Sequence, residues 1–345
     1  NGFMWFATMF GLSRYDGNTF TNYSTDPEQL TLNSNTINKV EADTIHNKVW
    51  IGNRWSGINV YDCETETFSS FTCKQGDASS LSSDEITDIL VTSAGEVWIA
   101  TLNKGLNRFD PSKETFIRYD RSTFPSFPSD RIHTLAEGPD GSIYIGHADK
   151  GLTIFETESN TFKNYVVSGI SNTIPHNTVL SIYVESDTLV WLATDKGLSL
   201  FNPTKETFRN FADVPGLHYT IQQRTGCVSQ SGDGRVWVGT RSDLCYFHRE
   251  DVDEILSGKK NVSHMYIQDI QWGITNPSVL CVFEDFFHNI WIGSNGGGAS
   301  LISHRSSFFK NWRINKIPGV TNGLNDKEVL TICIAADESI WMGTD

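Results

Sequence analysis

The chain lacks the long apolar runs of a membrane-spanning protein. Its 345 residues contain no stretch of about 18 consecutive apolar residues and no signal peptide. We therefore expect any link to a membrane to lie in segments outside this sequence. Because the first residue already falls inside a strand unit, an export signal could precede it. Basic residues are also in deficit, with 27 Lys and Arg against 41 Asp and Glu, which disfavours binding to nucleic acid.

Cysteine and catalytic motifs are equally sparse. The six cysteines form no CxxC pattern and have no histidine at metal-ligand spacing, so buried free thiols are favoured over zinc ligation or disulfides. The chain has no Gly-x-Ser-x-Gly elbow, phosphate-binding loop or His-Glu-x-x-His motif. Many acidic residues occupy Asp-Gly turn positions, such as Asp140–Gly141. We predict no catalytic residue, no metal ligand and no cofactor.

An internal repeat organises what is present. An aromatic residue followed two places later by a small residue recurs eight times; the first and last copies lie 336 residues apart, a mean period of 48. Residues 178–211 show that one unit contains four short strands separated by turn residues. Four-stranded units at this period predict an all-β fold, a seven-bladed β-propeller with antiparallel blades. The repeated aromatic positions are Trp5, Trp50, Trp98, Tyr144, Trp191, Trp237, Trp291 and Trp341.

The repeated aromatic residue is expected to pack against the next blade, and the small residue to make room for a ring from a neighbour. The first unit begins at its second strand. In a closed ring, residues 329–335 could complete the blade begun by residues 2–23, which leaves residues 339–344 redundant. We predict that residues 1–345 form one propeller domain within a longer chain, and that Trp341 begins a further repeat.

Several repeats resemble a known family. Residues 81–90 (LSSDEITDIL), 95–101 (GEVWIAT), 104–111 (KGLNRFDP) and 115–119 (TFIRY) resemble the two-component-regulator propeller repeat. The opening residues 2–17 are similar to the first blade of sensor regions in Bacteroidetes hybrid two-component systems. That resemblance implies a periplasmic sensor region of two seven-bladed propellers, followed by an immunoglobulin-like domain, a membrane helix, a histidine kinase, a receiver and a DNA-binding domain. Members often sense oligosaccharides released from glycans.

Propeller geometry indicates where a ligand would bind. Loops from second to third strands share a rim with the crossovers between blades, and loops on a rigid scaffold often carry function. Departures from the regular loop sequence Asp-Lys-Gly-Leu therefore mark candidates. An exposed Trp55 could stack on a sugar ring, and Arg54 and Arg241 could donate paired hydrogen bonds. The predicted ligand-binding residues are Arg54, Trp55, His147, Tyr219, Arg224, Arg241 and Trp272.

Irregularities concentrate in the sixth and seventh units, which makes that sector the preferred site, and the stretch 269–272 is interpreted as part of an insertion. The innermost strands place small or polar residues at the central channel, where Lys39 and Asp88 could pair. A sensor domain without enzymatic activity is the favoured function, with a second propeller, further domains of the parent kinase and a possible homodimer as partners. A lyase or glycosidase, requiring His147, His176 or His218 beside a carboxylate, and a protein-interaction scaffold remain open alternatives.

Overall fold

The structure, a computed structural model, describes residues 3–17, 19–26, 31–169, 172–265 and 274–303, and the backbone of residues 309–312, 331–334 and 340–343. The described strands form seven sheets arranged as the blades of a β-propeller. Six sheets are four-stranded and one is five-stranded. Helical structure in these residues is short, and none of it is long and apolar enough to cross a membrane.

The strands follow the sequence repeat blade by blade. Blade 1 begins with β1 (Met4–Thr8), β2 (Gly11–Tyr15) and β3 (Phe20–Tyr23). Blade 2 contains β4 (Ile37–Asp43), β5 (Lys48–Asn53), β6 (Ile58–Asp62) and β7 (Thr67–Phe71). Blade 3 contains β8 (Ile86–Val91), β9 (Val97–Thr101), β10 (Leu106–Asp110) and β11 (Thr115–Tyr119). Blade 4 contains β12 (Ile132–Glu137), β13 (Ile143–His147), β14 (Leu152–Glu156) and β15 (Thr161–Tyr165).

The second half of the ring continues in the same order. Blade 5 contains β16 (Val179–Ser186), β17 (Leu189–Thr194), β18 (Gly197–Asn202) and β19 (Thr207–Asn210). Blade 6 contains β20 (Thr225–Gln230), β21 (Arg235–Thr240), β22 (Leu244–His248) and β23 (Ser263–Met265), with helices α1 (Tyr219–Gln222) and α2 (Val252–Leu256) and 3-10 turns Phe211–Asp213 and Arg249–Asp251 beside it. Blade 7 contains β24 (Val279–Glu284), β25 (Ile290–Ser294), β26 (Gly298–Ile302) and β27 (Phe309–Trp312). The chain then returns to blade 1 with β28 (Thr331–Ile334) and β29 (Ile340–Gly343).

The repeated tryptophans have the packing role expected of them. Those of the described blades are almost fully buried. In five of them the indole N–H donates to a polar side chain of the same blade: Trp50, Trp98, Trp191, Trp237 and Trp291. Trp191 Nε1 lies 2.9 Å from Glu185 Oε2, and Trp291 Nε1 lies 2.8 Å from Asp285 Oδ2. The ring therefore buries a large apolar area without losing a hydrogen bond.

The small residue two places after the repeated aromatic residue makes room for an aliphatic side chain and not, as expected, for a ring. A Cβ added at Gly146 would lie 2.5 Å from Thr134 Cγ2 and 2.9 Å from Val179 Cγ1. Val179 begins the innermost strand of the next blade, so the glycine sets how closely adjacent blades approach. Gly239 is placed in the same way against Val279, whose Cγ1 would lie 2.7 Å from an added Cβ.

The innermost strands share one irregularity. In blades 2 to 7 a register shift precedes the residue facing the channel, so that Lys39 pairs with Gly52 and Asp88 with Ala100. Asp88 then connects three blades: its Oδ1 lies 3.0 Å from Lys39 Nζ of blade 2, and its Oδ2 accepts a hydrogen bond of 2.8 Å from Leu135 N of blade 4. The predicted pairing of Lys39 with Asp88 is confirmed.

The closure of the ring differs from the prediction. Strand β28 joins the sheet of blade 1, as expected of residues 329–335, but it does not pair with β1. Strand β29 lies between them and pairs in parallel with β1, with Trp341 opposite Trp5 and Met342 opposite Phe6. The prediction that residues 339–344 are redundant is therefore wrong, because they supply the strand through which the sheet is completed.

The extra length of the sixth unit also lies elsewhere than expected. The connection from β22 to β23 runs from 249 to 262, fourteen residues including α2, where blade 5 uses four residues, 203 to 206, between β18 and β19. Val252 and Ile255 of this connection are buried with Phe211 and Phe247 in one apolar cluster. The insertion is thus a packed part of blade 6 and precedes residues 269–272, which lie outside the described residues.

Candidate functional site

The predicted rim exists, and backbone hydrogen bonds hold its parts together. In each of three blades, the glycine that ends the loop from second to third strand donates its N–H to the next crossover. Gly57 N lies 3.0 Å from Asp84 O, and Gly105 N lies 2.9 Å from Asp130 O. Gly151 repeats the contact in blade 4. These glycines have positive φ angles, and an added Cβ would collide with nearby backbone, so glycine is required where each loop contacts the crossover.

Arg54 and Trp55 form a polar and aromatic surface on this rim. Trp55 is 58% exposed, and the Arg54 guanidinium carbon lies 4.7 Å from the centroid of its ring. The pair borders a pocket of about 330 Å³ between blades 2 and 3, which Glu85, Thr87 and Leu102 also line. An open indole face, a guanidinium and a carboxylate around one concavity suit a ligand that has hydroxyl groups and apolar C–H faces.

A second pocket, of about 510 Å³, lies on the opposite rim between the same two blades. Four of its ionic side chains are paired with one another. His46 Nδ1 lies 2.8 Å from Asp43 Oδ2, and Arg108 NH1 lies 3.2 Å from Glu96 Oε1.

His147 is a core residue, so the prediction that it contacts a ligand is wrong. Its side chain is 0% exposed, its Nε2 lies 2.8 Å from Thr153 Oγ1, and the ring of Phe127 covers it edge-on. Burial disfavours the imidazolium and lowers the pKa of His147 to about 4. The histidine occupies the place of the buried threonines Thr101 and Thr194 in neighbouring blades, and it does so as a neutral packing residue.

The remaining predicted residues gather in the sector of blades 5 and 6. Tyr219, at the start of α1, and Arg241, in the loop from β21 to β22, are both exposed. Arg224 is half-buried and ion-paired with Asp195, the first residue of the corresponding loop in blade 5. Trp272 lies outside the described residues. The structure thus brings the other predicted residues together as two groups, Arg54 and Trp55 on blade 2 and Tyr219, Arg224 and Arg241 at blades 5 and 6, with two blades between the groups in either direction around the ring.

Sequence reasoning missed a group of ionisable side chains beside Tyr219. His218, Asp243 and His264 place one ligand atom each within 4.8 Å of one another. The alternative enzyme function requires His147, His176 or His218 beside a carboxylate, and His218 lies beside Asp243. The signal was present in the repeat, because Asp243 stands where the regular loop sequence has glycine.

Comparison with known proteins supports the repeat and the fold. Residues 80–103 match the family described as two component regulator propeller. The extracellular domain of the putative hybrid two-component system BT3049 from B. thetaiotaomicron is similar over 99% of this chain and 49% of that one, with 25% identity and a TM-score of 0.74. The chain therefore spans about half the length of that structure. No curated protein sequence matches the chain significantly.

More distant structures share the fold alone. PorZ of the type-IX secretion system of Porphyromonas gingivalis has 14% identity and a TM-score of 0.65, over 97% of this chain and 50% of that one. Virginiamycin B lyase from Staphylococcus aureus has 13% identity and a TM-score of 0.63, over 90% and 92% of the two chains. The chain is therefore a seven-bladed β-propeller that carries a two-component regulator propeller repeat and resembles, along nearly its whole length, an extracellular domain of a hybrid two-component system.

Proposed function

We propose that this propeller is a sensor domain, one half of the extracytoplasmic input region of a hybrid two-component signalling protein. The observation that carries the proposal is the structural likeness to the extracellular domain of such a system, at a TM-score of 0.74 over 99% of the chain. The matched repeat at residues 80–103 supports it independently of the overall shape. We also propose a periplasmic location, which the same likeness supports.

The proposed ligand is an oligosaccharide that binds at the Arg54–Trp55 surface. Stacking on a sugar ring requires an aromatic face that is open to solvent, and Trp55 supplies one. The Arg54 guanidinium lies over one face of the ring, so a sugar would stack on the other face, and the pocket between blades 2 and 3 continues toward Glu85. Tyr219 and Arg241 are proposed as a second contact region, since both are exposed on the same rim.

The proposed partners are the rest of the sensor region and its kinase. Because the chain spans 49% of the BT3049 domain, we propose a second propeller in the same parent protein, with the histidine kinase beyond it and a homodimer as the signalling unit. A ligand can drive such a switch only through different affinities for two arrangements of these parts. The propeller itself then needs no turnover.

The test is thermal unfolding of the propeller against a panel of neutral and acidic oligosaccharides. A ligand at 100 times its dissociation constant should stabilise the fold by about 2.7 kcal/mol. Trp55→Ala should abolish the shift caused by a binding glycan. Phe10→Ala is a matched control, because Phe10 is an aromatic residue, 62% exposed, on the corresponding loop of blade 1.

The sensor proposal requires that the bound glycan be recovered unchanged. Appearance of a shortened or unsaturated product would favour an enzyme instead. A shift that survives Trp55→Ala but disappears in Arg241→Ala would move the site to blade 6, and a panel without any shift would count against a glycan ligand on this propeller.

A further inference from the structure

Blade 6 departs from a polar pair that the other blades repeat. Where the third and fourth strands face each other next to the rim, blade 5 pairs Ser199 with Asn210, with 2.7 Å between their side-chain oxygens. Blade 4 pairs Thr153 with Asn164 at the same register. In blade 6 the residues at this register are Cys245 and His264, with 3.4 Å between Sγ and Nδ1. A hydrogen-bonded pair of ordinary polar residues is thus replaced by two residues that ligate metals.

The adjoining loop carries a second departure. In blade 5, Gly197 follows three residues after Thr194, and its carbonyl accepts a hydrogen bond from the threonine hydroxyl. In blade 6 the residue three places after Thr240 is Asp243, whose carbonyl accepts the equivalent bond. The loop therefore keeps its hydrogen bond but gains a carboxylate, which is only 4% exposed and points at His264, with 2.5 Å between Oδ2 and Nδ1.

A third residue reaches the same point from the crossover between blades 5 and 6. The ring centroids of His218 and His264 lie 3.9 Å apart. His218 Nδ1 lies 2.9 Å from Thr220 Oγ1, which fixes the direction of its ring. Thr220 Oγ1 also lies 3.3 Å from Cys245 Sγ. Through Thr220, the side chains of His218, Asp243, Cys245 and His264 form one connected group.

Two separations within this group, both from Cys245, are close to those in a four-coordinate metal site, and the ligand atoms of His218, Asp243 and His264 lie within 4.8 Å of one another. Bonds of about 2.0–2.3 Å in a tetrahedral site place neighbouring ligand atoms about 3.3–3.8 Å apart. Cys245 Sγ lies 3.4 Å from His264 Nδ1 and 3.9 Å from Asp243 Oδ2. The contact between Asp243 and His264 is shorter, at 2.5 Å, and would open as both groups turned toward an ion.

We propose that His218, Asp243, Cys245 and His264 form a binding site for a divalent transition-metal ion, with Zn²⁺ the expected occupant. Imidazole nitrogens, a thiolate and one carboxylate oxygen are the ligand set that zinc takes in proteins, and they are too soft for Mg²⁺ or Ca²⁺. The proposal does not depend on the sensor function. It rests on three departures from the repeat that lie close together: His218 in the crossover, Asp243 in the loop, and the strand pair Cys245–His264.

The ligand chemistry predicts a proton change on binding. A metal binds the neutral imidazole and the thiolate. A free cysteine thiol, whose ordinary pKa is about 8.5, is mostly protonated near pH 7. A bound cation would displace that proton, as coordinated thiols are deprotonated outright. Metal binding should therefore release a proton.

The ion would join three parts of the rim. His218 lies next to Tyr219 of the crossover, Asp243 lies in the same loop as Arg241, and His264 lies on the outermost strand. Because the site is assembled from separate segments, binding should stabilise their folded arrangement. The exposed Tyr219 and Arg241 would then be held in fixed positions at this sector of the rim.

The experiment is calorimetric titration of the metal-free 345-residue propeller with ZnCl₂, in two buffers of different ionisation enthalpy. We expect one zinc per chain and release of about one proton per zinc. His218→Ala and Asp243→Asn should each weaken binding by roughly 100-fold or more, the upper end of what the loss of an outer-shell partner costs. Cys245→Ser should remove the proton release and, with Co²⁺ in place of zinc, the thiolate-to-cobalt charge-transfer band.

His46→Ala is the matched control, since His46 faces Asp43 in a histidine–carboxylate pair on the opposite rim. It should leave zinc binding unchanged. Melting curves without metal establish that the variants fold; His218→Ala alters a side chain at the surface and keeps the test valid if the buried Asp243→Asn does not fold. The proposal is overturned if the wild-type chain binds no zinc, or if His218→Ala binds it as tightly as wild type, or if His46→Ala weakens binding equally.

Discussion

Replacement of Asp88 tests whether the blades are joined at the channel by more than apolar packing. Asp88 of blade 3 accepts a 2.8 Å hydrogen bond from Leu135 N of blade 4 and lies 3.0 Å from Lys39 Nζ of blade 2. Ser181 occupies the corresponding position in blade 5, where its Oγ accepts a long, neutral bond of 3.4 Å from Val228 N of blade 6. The same position thus offers a strong and a weak version of one contact.

The expected magnitudes differ accordingly. Asp88→Ala removes a hydrogen bond to a charged acceptor, about 1.5–3 kcal/mol, and leaves Leu135 N buried without that partner. It also removes an ion pair that is partly exposed, about 1 kcal/mol. The sum is about 3 kcal/mol. Ser181→Ala should cost about 0.5 kcal/mol. Asp88→Asn keeps an oxygen for Leu135 N and should fall between the two, at about 1–2 kcal/mol.

Urea unfolding at pH 7, followed by circular dichroism, measures these differences, and thermal melting gives a second measure at about 2 °C per kcal/mol. Unchanged m values would show that the variants expose the same surface area on unfolding as the wild type does. If Asp88→Ala is as mild as Ser181→Ala, the inter-blade hydrogen bond contributes nothing measurable. In that case packing alone would hold neighbouring blades at the channel.

Three further predictions concern single side chains. As the pH drops from 6.5 to 4.5, the wild-type chain should lose about 2–3 kcal/mol more of its free energy of unfolding than His147→Thr does. The reason is that His147 has a pKa of about 4 in the folded chain and an ordinary pKa in the unfolded chain, so acid favours unfolding. Equal pH profiles in urea unfolding would refute this. Gly146→Ala should lower stability by about 1–3 kcal/mol, since the new Cβ would meet Val179 at 2.9 Å, and unchanged melting would contradict that contact. Trp191→Phe should cost about 1–3 kcal/mol in urea unfolding through the lost bond to Glu185 and the smaller ring, and a neutral effect would rule out both contributions.

The sequence was sufficient for the ring because the repeated tryptophan has one physical role in every blade. A large buried ring at a fixed interval cannot shift without exposing apolar area, so its period counts the blades. The channel positions were also predictable, because alignment of the repeats places Lys39 and Asp88 at the same position in the innermost strands of adjacent blades. That alignment was enough to predict their pairing.

The errors arose where a contact depends on a segment distant in sequence. His147 resembles an exposed loop residue, but Phe127 from the preceding crossover covers it. Strands β1 and β29 have the same sequence pattern, which does not reveal that they pair side by side and in parallel. His264 could not be aligned with the asparagines of other blades, because residues 249–262 interrupt the spacing before its strand.

The parallel pairing of β29 with β1 also determines how the ring bears mechanical load. Successive blades are joined along the chain by covalent crossovers, whereas blade 1 is assembled from both ends of the described sequence, through a register of two residue pairs. The register within the other blades is longer, with six pairs between β4 and β5. A force that pulls β1 and β29 apart acts on this short register, so of these two described strand pairs we expect β1 and β29 to separate before β4 and β5 do.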